Sequence, residues 1–336
     1  MSHVLAMFLR SAGTLAVTLI ALLCVTFALS ALSPVDPALK KVGDHASAAS
    51  YEQARHELGL DQSWAQRLTH YAQGVAHGDL GVSQSTGASV ARDLRRVFPA
   101  TLELATLAIA ASTLLGIALA IASTARQGGV LDAVVRVLSI AGNSLPIFWL
   151  GLLALYFFYA ELQWVGGPGR LDDAYEYTID MPTGLVLLDA WRSGVEGAFT
   201  SAVSHLVLPV LLLSAYAIGN IARLTRAALL AEAGKEYVLL ARATGASQLK
   251  VLTHHMLPNA AGVVLTVLAL TYANLLQGAV LVETVFARPG IGRYLTTALF
   301  AADTPAILGS TLVIGACFVL INGVTDLAVR LLDPRA

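Results

Sequence analysis

The side chains most able to do chemistry are few and poorly grouped. His254 and His255 are adjacent, so on a helix they diverge by about 100°. They do not clamp one metal as an i, i+4 pair does. Gly234-Lys235 lacks both the earlier glycine and the following hydroxyl that a phosphate-cradling G-x-x-x-x-G-K-[ST] loop needs. There is no H-E-x-x-H, Gly87-Ala88-Ser89 is not a G-x-S-x-G elbow, and no nucleophilic triad stands out. The chain is therefore expected to be no enzyme and to carry no cofactor or metal. Its 21 Lys and Arg against 22 Asp and Glu leave a net charge of −1, with no basic excess to draw nucleic acid. Only 2 Cys are present, which excludes a disulfide scaffold. Cys24 and Cys317 fall in apolar stretches, where a thiol acts as a small hydrophobe.

The elements that must position these groups are set by where charge is missing. Of 336 residues, 56% are hydrophobic and 13% charged, with mean hydropathy +0.69. That balance excludes a soluble globular enzyme and a disordered chain. Six windows contain no Asp, Glu, Lys or Arg: 11–35, 104–125, 137–160, 197–222, 251–282 and 304–325. Each exceeds the roughly 20 residues a helix needs to cross the hydrocarbon core, which predicts six spans. In the fifth, His254, His255 and Pro258 place the start of the span near Ala260. The first window resembles a signal core with Arg10 at its positive end, but its length favours a retained helix.

Ionisable groups inside spans mark proton or ion relays, and here they are sparse. Glu103, Glu283 and Asp326 sit near predicted ends, and His205 lies near one end of span four. A proton-driven carrier is disfavoured, so uphill movement of a solute would draw energy from another subunit. The polar residues in the spans are mild: Asn143, Ser144, Asn220, Thr271, Asn274, Gln277 and Asn322. They read either as helix–helix hydrogen bonds or as the lining of a hydrated path. Asn274 and Gln277 share one face at i, i+3, and Tyr272 is a further candidate to flank such a path. After Glu283, the residues Phe286, Pro289, Gly290 and Gly292 form a stretch too broken for a helix. It reads as a turn that seals a pathway from outside, or as a plain surface turn.

Basic residues near the spans set orientation. With the N-terminus and C-terminus inside, the short cytoplasmic segments hold ten Lys and Arg against five Asp and Glu. Arg92, Arg95 and Arg96 oppose this arrangement unless an amphipathic surface helix holds them. The first outer loop, about 33–97, contains two expected short helices, Ser47 to Leu60 and Ser63 to Val75, with Ser63 as an N-cap. The second, about 161–197, reads as irregular or weakly stranded. Between spans four and five lies the most unusual segment, 223–259. Two amphipathic helices fit, Ala227 to Ala243 and Ser247 to His255, separated by Gly245 and closed by Leu257-Pro258. A plain helix connection is about 2–8 residues, so this longer one reads as a docking surface. No internal repeat is visible.

The sequence resembles the inner-membrane permease subunits of bacterial ABC importers for dipeptides and oligopeptides, over nearly its whole length. Family permeases carry a cytoplasmic E-A-A-x3-G-x9-I-x-L-P loop. In that register stand Leu239, Leu240, Ala241, Gly245, His255, Leu257 and Pro258, with Glu, the first Ala and Ile replaced. Leu240-Ala241-Arg242-Ala243-Thr244-Gly245 approaches the T-A-R-A-K-G of the peptide branch. Further segments are similar to that branch: Gly78 to Ser83, Phe98 to Leu104, Pro146 to Gly151, Thr183-Gly184 to Leu188-Asp189, Val282 to Phe286, Pro289 to Arg293, and Leu332 to Arg335.

The resemblance implies an all-α integral membrane protein with six transmembrane helices, N-in and C-in, of the type I importer permease fold. Residues 1–98 would form the first span and a periplasmic segment, 99–330 the core with its coupling loop at 227–258, and 331–336 a short cytoplasmic tail. Partners would be a second homologous permease, two cytoplasmic ABC ATPases, a periplasmic peptide-binding protein and the lipid bilayer. The ATPases would grip Leu239, Leu240, Ala241, Arg242, Ala243, Gly245, His255, Leu257 and Pro258. Asn274, Gln277, Glu283, Phe286, Pro289, Gly290 and Gly292 are the candidate pathway and gate. Nickel, glutathione, haem or an antimicrobial peptide on the same scaffold is the alternative cargo. A membrane-embedded enzyme or a stand-alone channel is the alternative class.

Overall fold

The computed structural model describes residues 2–31, 36–43, 46–129, 133 and 145–332. Among these there is no strand, only an isolated bridge pairing Val82 with Ser89. Four helices are long and apolar enough to cross a membrane: Val90–Ala125, Ala198–Glu232, Ala261–Val285 and Thr304–Val329. The first window is also helical, within Ser2–Ala31. The end of the third is helical over Ile147–Ala154 and π-helical over Leu155–Glu161. Residues 137–144 of that window, with Asn143 and Ser144, lie outside the described residues, as does 333–336 of the expected tail.

By its contacts the chain divides into two compact units. One unit is Met1–Pro99 with Gly290–Leu320. Its elements are α1 (Ser2–Ala31), α2 (Pro37–Val42), α3 (Ala48–Glu57), α4 (Trp64–Ala76) and the start of α5 (Val90–Ala125). The expected outer-loop helices are α3 and α4. Ser47 caps α3, and Ser63 closes a capping box with Gln66 on α4. α4 leans on α1 through Phe27, whose ring centroid is 5.8 Å from that of Trp64 and 6.2 Å from that of Tyr71. The 78–89 turn is stapled by Asp303, which accepts from Ser83 Oγ at 2.6 Å and Ser85 N at 2.9 Å.

The other unit is Ala100–Pro289 with Ile321–Ala336. It contains most of α5, α6 (Ile147–Ala154), α7 (Asp173–Glu176), α8 (Val186–Ser193), α9 (Ala198–Glu232) and α10 (Glu236–Ala243). The chain continues through α11 (Gln248–Lys250), a π-helical stretch Val251–Met256, α12 (Leu257–Asn259) and α13 (Ala261–Val285). α9 and α13 pack along one another. α9 and α5 approach closely, with Ser214 Oγ donating to the Ala108 carbonyl at 3.2 Å. Two helices complete the chain: α14 (Ile291–Phe300), in the first unit, and α15 (Thr304–Leu332), which runs from the first unit into the second.

Three sequence expectations change. The second outer loop holds two short helices, α7 and α8, rather than strand, because carboxylates cap its turns. Asp189 accepts from Thr183 Oγ1 at 2.7 Å and Gly184 N at 3.0 Å. The helix expected over Ala227 to Ala243 is broken after Glu232, whose carboxylate takes Lys235 Nζ at 2.7 Å and Tyr237 Oη at 2.6 Å and so holds a turn there. Gly292 belongs to the first turn of α14, so the broken stretch ends at Gly290.

Candidate functional site

The 227–258 loop is built on a shared apolar core. α10 turns Val238 and Ala241 inward against Ala120, Leu229, Val251, Leu252 and Met256. Its other face leaves Leu239 54% and Leu240 66% exposed, beside exposed Arg242 and Ala243. Gly245 ends the helix with φ +86°. Ala246 N donates to the Ala241 carbonyl at 3.1 Å and Gly245 N to the Arg242 carbonyl at 3.0 Å, a Schellman cap. Ser247 then caps α11, and Gln248 Nε2 donates to the Ala125 carbonyl at the end of α5, at 2.7 Å. The turn widens to π geometry ahead of Pro258, which has no amide to give. His255 and Leu257 are half-buried and Pro258 is exposed. The residues expected to dock a partner therefore split: Leu239, Leu240, Arg242, Ala243, Gly245 and Pro258 face outward, while Ala241 is core.

α13 carries the expected polar pair. Asn274 and Gln277 lie on an exposed row with Thr266, Leu270 and Leu281, while Val264, Val267, Leu275 and Ala279 are buried opposite. Tyr272 is half-buried and its hydroxyl meets Thr106 Oγ1 at 2.9 Å. Beyond α13, Phe286 is 1% exposed and Ala287 takes φ +51°, a left-handed cap made without glycine. The Phe286 carbonyl accepts from Gly169 N at 2.8 Å, pinning this turn to the second outer loop. Gly290 is extended, with φ −102°.

The same region holds a buried charge cluster that the sequence does not announce. Glu103, Arg170, Glu283 and Arg288 are 8%, 7%, 1% and 0% exposed. Glu103 Oε2 lies 3.9 Å from Arg288 Nη2 and 4.0 Å from Arg170 Nη2. Its two oxygens also accept from Val186 N at 3.2 Å and Leu187 N at 2.9 Å, at the start of α8. Negative charge is favoured at that helix end. Thr101 Oγ1 donates to Glu283 at 2.5 Å. Arg170 donates to the Gly184 carbonyl, and Arg288 to that of Gly169 at 3.4 Å. Burial, and next the like charge of Arg170, push Arg288 down to about 10, so it stays cationic at neutral pH. Burial likewise lowers Arg170. Nearby His205 is buried, its Nδ1 2.8 Å from the Ser201 carbonyl. The Gly166-Gly167 backbone passes so close that a Cβ on Gly167 would sit 2.6 Å from the Tyr159 ring.

This arrangement offers a helical core, an outward apolar loop and a pinned turn after α13. Residues 112–336 match the family described as binding-protein-dependent transport system inner membrane component. Residues 4–105 match its separate N-terminal family. The chain belongs to this family. It is thus a membrane permease component of a binding-protein-dependent transport system in the inner membrane. The permease is 43% identical, over 95% of its length and 94% of the relative, to the probable D,D-dipeptide transport system permease protein DdpB of Escherichia coli strain K12. It is 37% identical, over 97% of both chains, to the di/tripeptide transport system permease protein DppB of Pseudomonas aeruginosa strain UCBPP-PA14. The dipeptide transport system permease protein DppB of Haemophilus influenzae is 39% identical over 95% of each chain. In this permease Glu103 and Glu283, expected near span ends, are also buried with two arginines. Two of its members, Glu103 and Glu283, lie in segments the sequence does mark, Phe98 to Leu104 and Val282 to Phe286. The signal was motif position, and burial supplies its physical reason.

Proposed function

We propose that this permease is one of two related membrane subunits that line a path for dipeptides and short oligopeptides. It would work with two cytoplasmic ATPases and a periplasmic peptide-binding protein. The observation that carries the reading is that relatives named for dipeptide, di/tripeptide and D,D-dipeptide transport match along nearly the whole chain. The 227–258 loop supports it, since exposed Leu239, Leu240 and Leu249 crowd one polar segment and call for a partner surface. In this reading the chain has six spans with both termini inside, and α13 turns Asn274 and Gln277 toward the path. Glu283, Phe286, Pro289, Gly290 and Gly292 then form the outer closure.

The test is reconstitution of the permease with its second permease, ATPases and binding protein in vesicles. ATP-dependent accumulation of a labelled L,L- or D,D-dipeptide is the expected result. Accumulation of nickel, glutathione or haem without peptide would assign the scaffold a different cargo. ATP turnover by the isolated permease, free of contaminating ATPase, would defeat the reading altogether.

A further inference from the structure

One feature of the charge pattern has no role in the path or the docking loop: the arginines at the start of α5. Arg92, Arg95 and Arg96 are spaced i, i+3, i+4 and all are exposed, so they share one face. The opposite face buries Val90 and Leu94 among Ile291, Ala298 and Ala306. The nearby carboxylates are already engaged. Asp93 accepts from Thr86 Oγ1 at 2.6 Å and from Tyr294 Oη at 3.2 Å. Asp303 is held by Ser83, Ser85 and Ala306. Among the described residues, none of the three arginines has an ion pair or a hydrogen bond from its side chain.

Depth supplies the second observation. From Val97 to Ala125 the only Asp, Glu, Lys or Arg is the buried Glu103. At 1.5 Å per residue that stretch rises about 43 Å, matching a bilayer with its headgroup regions at about 40–45 Å. The three guanidiniums thus stand at the level of the phosphates. α14, which packs on this end of α5, exposes Leu299 at 56% and Phe300 at 87%. Cations and unsheltered apolar side chains in one compact unit are the composition of an interfacial surface, one part meeting headgroups and the other acyl chains. A soluble acidic protein would satisfy the arginines and leave Leu299 and Phe300 uncovered.

We propose that Arg92, Arg95 and Arg96 form a binding site for an anionic phospholipid, the guanidiniums holding its phosphate. The site depends on membrane insertion and not on which solute is carried.

The full-length permease, purified in mild detergent and mixed with phosphatidylglycerol or phosphatidylcholine, would be examined by native mass spectrometry. Wild type should retain phosphatidylglycerol preferentially, and added salt should weaken that preference. R92Q/R95Q/R96Q should lose it by about fivefold for each charge removed. R92K/R95K/R96K keeps the charges and should keep most of the retention. Inorganic phosphate at equal concentration should not displace the lipid, since it lacks the acyl chains; full displacement would overturn the proposal. Equal retention by wild type and the Gln triple variant would also overturn it. Equal loss in the Lys and Gln variants would do the same, because helix integrity rather than charge would then carry the binding. If the Gln variant retains the lipid but the assembled transporter no longer docks its binding protein, the triad is a protein contact and the proposal fails.

Discussion

Glu103 joins two loops and the start of α8. Two buried guanidiniums face one of its oxygens, and two backbone amides of α8 use the pair. Removing one partner of a buried ion pair costs about 3–5 kcal/mol because the other charge is stranded. Glu103→Gln should therefore lower the thermal midpoint in detergent and the folded yield strongly, whereas Asp61→Asn, on an exposed carboxylate, should do neither. An unchanged midpoint for Glu103→Gln would mean the cluster is not stabilising. Asp303 gives a pH prediction. Its burial raises the carboxyl, but the Ser83 hydroxyl and the Ser85 and Ala306 amides outweigh that and hold it below 3.8. A depressed carboxylate stabilises above its unfolded value and loses that contribution as pH falls through the folded one. Melting of wild type should thus show an acid-dependent loss below about pH 4 that is diminished in Asp303→Asn, which starts from a lower midpoint. Identical pH profiles would remove Asp303 from the account.

At the scale of elements, the 227–258 loop turns on Gly245. A Cβ there would meet nothing within 4 Å, so substitution strains only the left-handed backbone. Gly245→Val should cost about 1–2 kcal/mol, leave insertion intact and reduce co-purification with the ATPases. Gly245→Asn, which tolerates positive φ, should recover much of it. Ala241→Asp behaves differently, since Ala241 lies in the loop's core at 8% exposure. It should expose α10 to limited proteolysis around Gly234, while Gly245→Val stays resistant; equal cleavage of both would contradict this packing. The glycine cap was legible in the sequence because positive φ selects glycine. The matching caps at Ala287 and Ala302, φ +51° and +46°, were not, since alanine sends no such signal. The apolar windows were legible because a span needs length without charge. The quartet was hidden, as Arg170 and Arg288 sit in loops and read as surface charges until tertiary packing brings them to Glu103. The break after Glu232 was hidden too, because it depends on one side chain folding back onto Lys235 and Tyr237.

For the whole molecule, orientation is the property on which partners, closure and path all depend. Single cysteines at Asp61 and Asp180 should react with an impermeant reagent from outside, and those at Lys235 and Arg335 only after the membrane is opened. Labelling at position 61 from the cytoplasm alone would invert the arrangement. The buried quartet also bears on how the chain is made. Thr101 and Glu283 are separated by 182 positions, which at about 5–20 residues per second is roughly 10–40 s of translation. Throughout that interval α5 has left the ribosome while Glu103 lacks Arg288 and Thr101 lacks Glu283. The nascent chain is therefore expected to wait beside the insertion machinery, or a chaperone, until α13 and Arg288 arrive. Chains truncated before that point should be degraded by membrane proteases faster than full-length ones, however apolar their finished helices are.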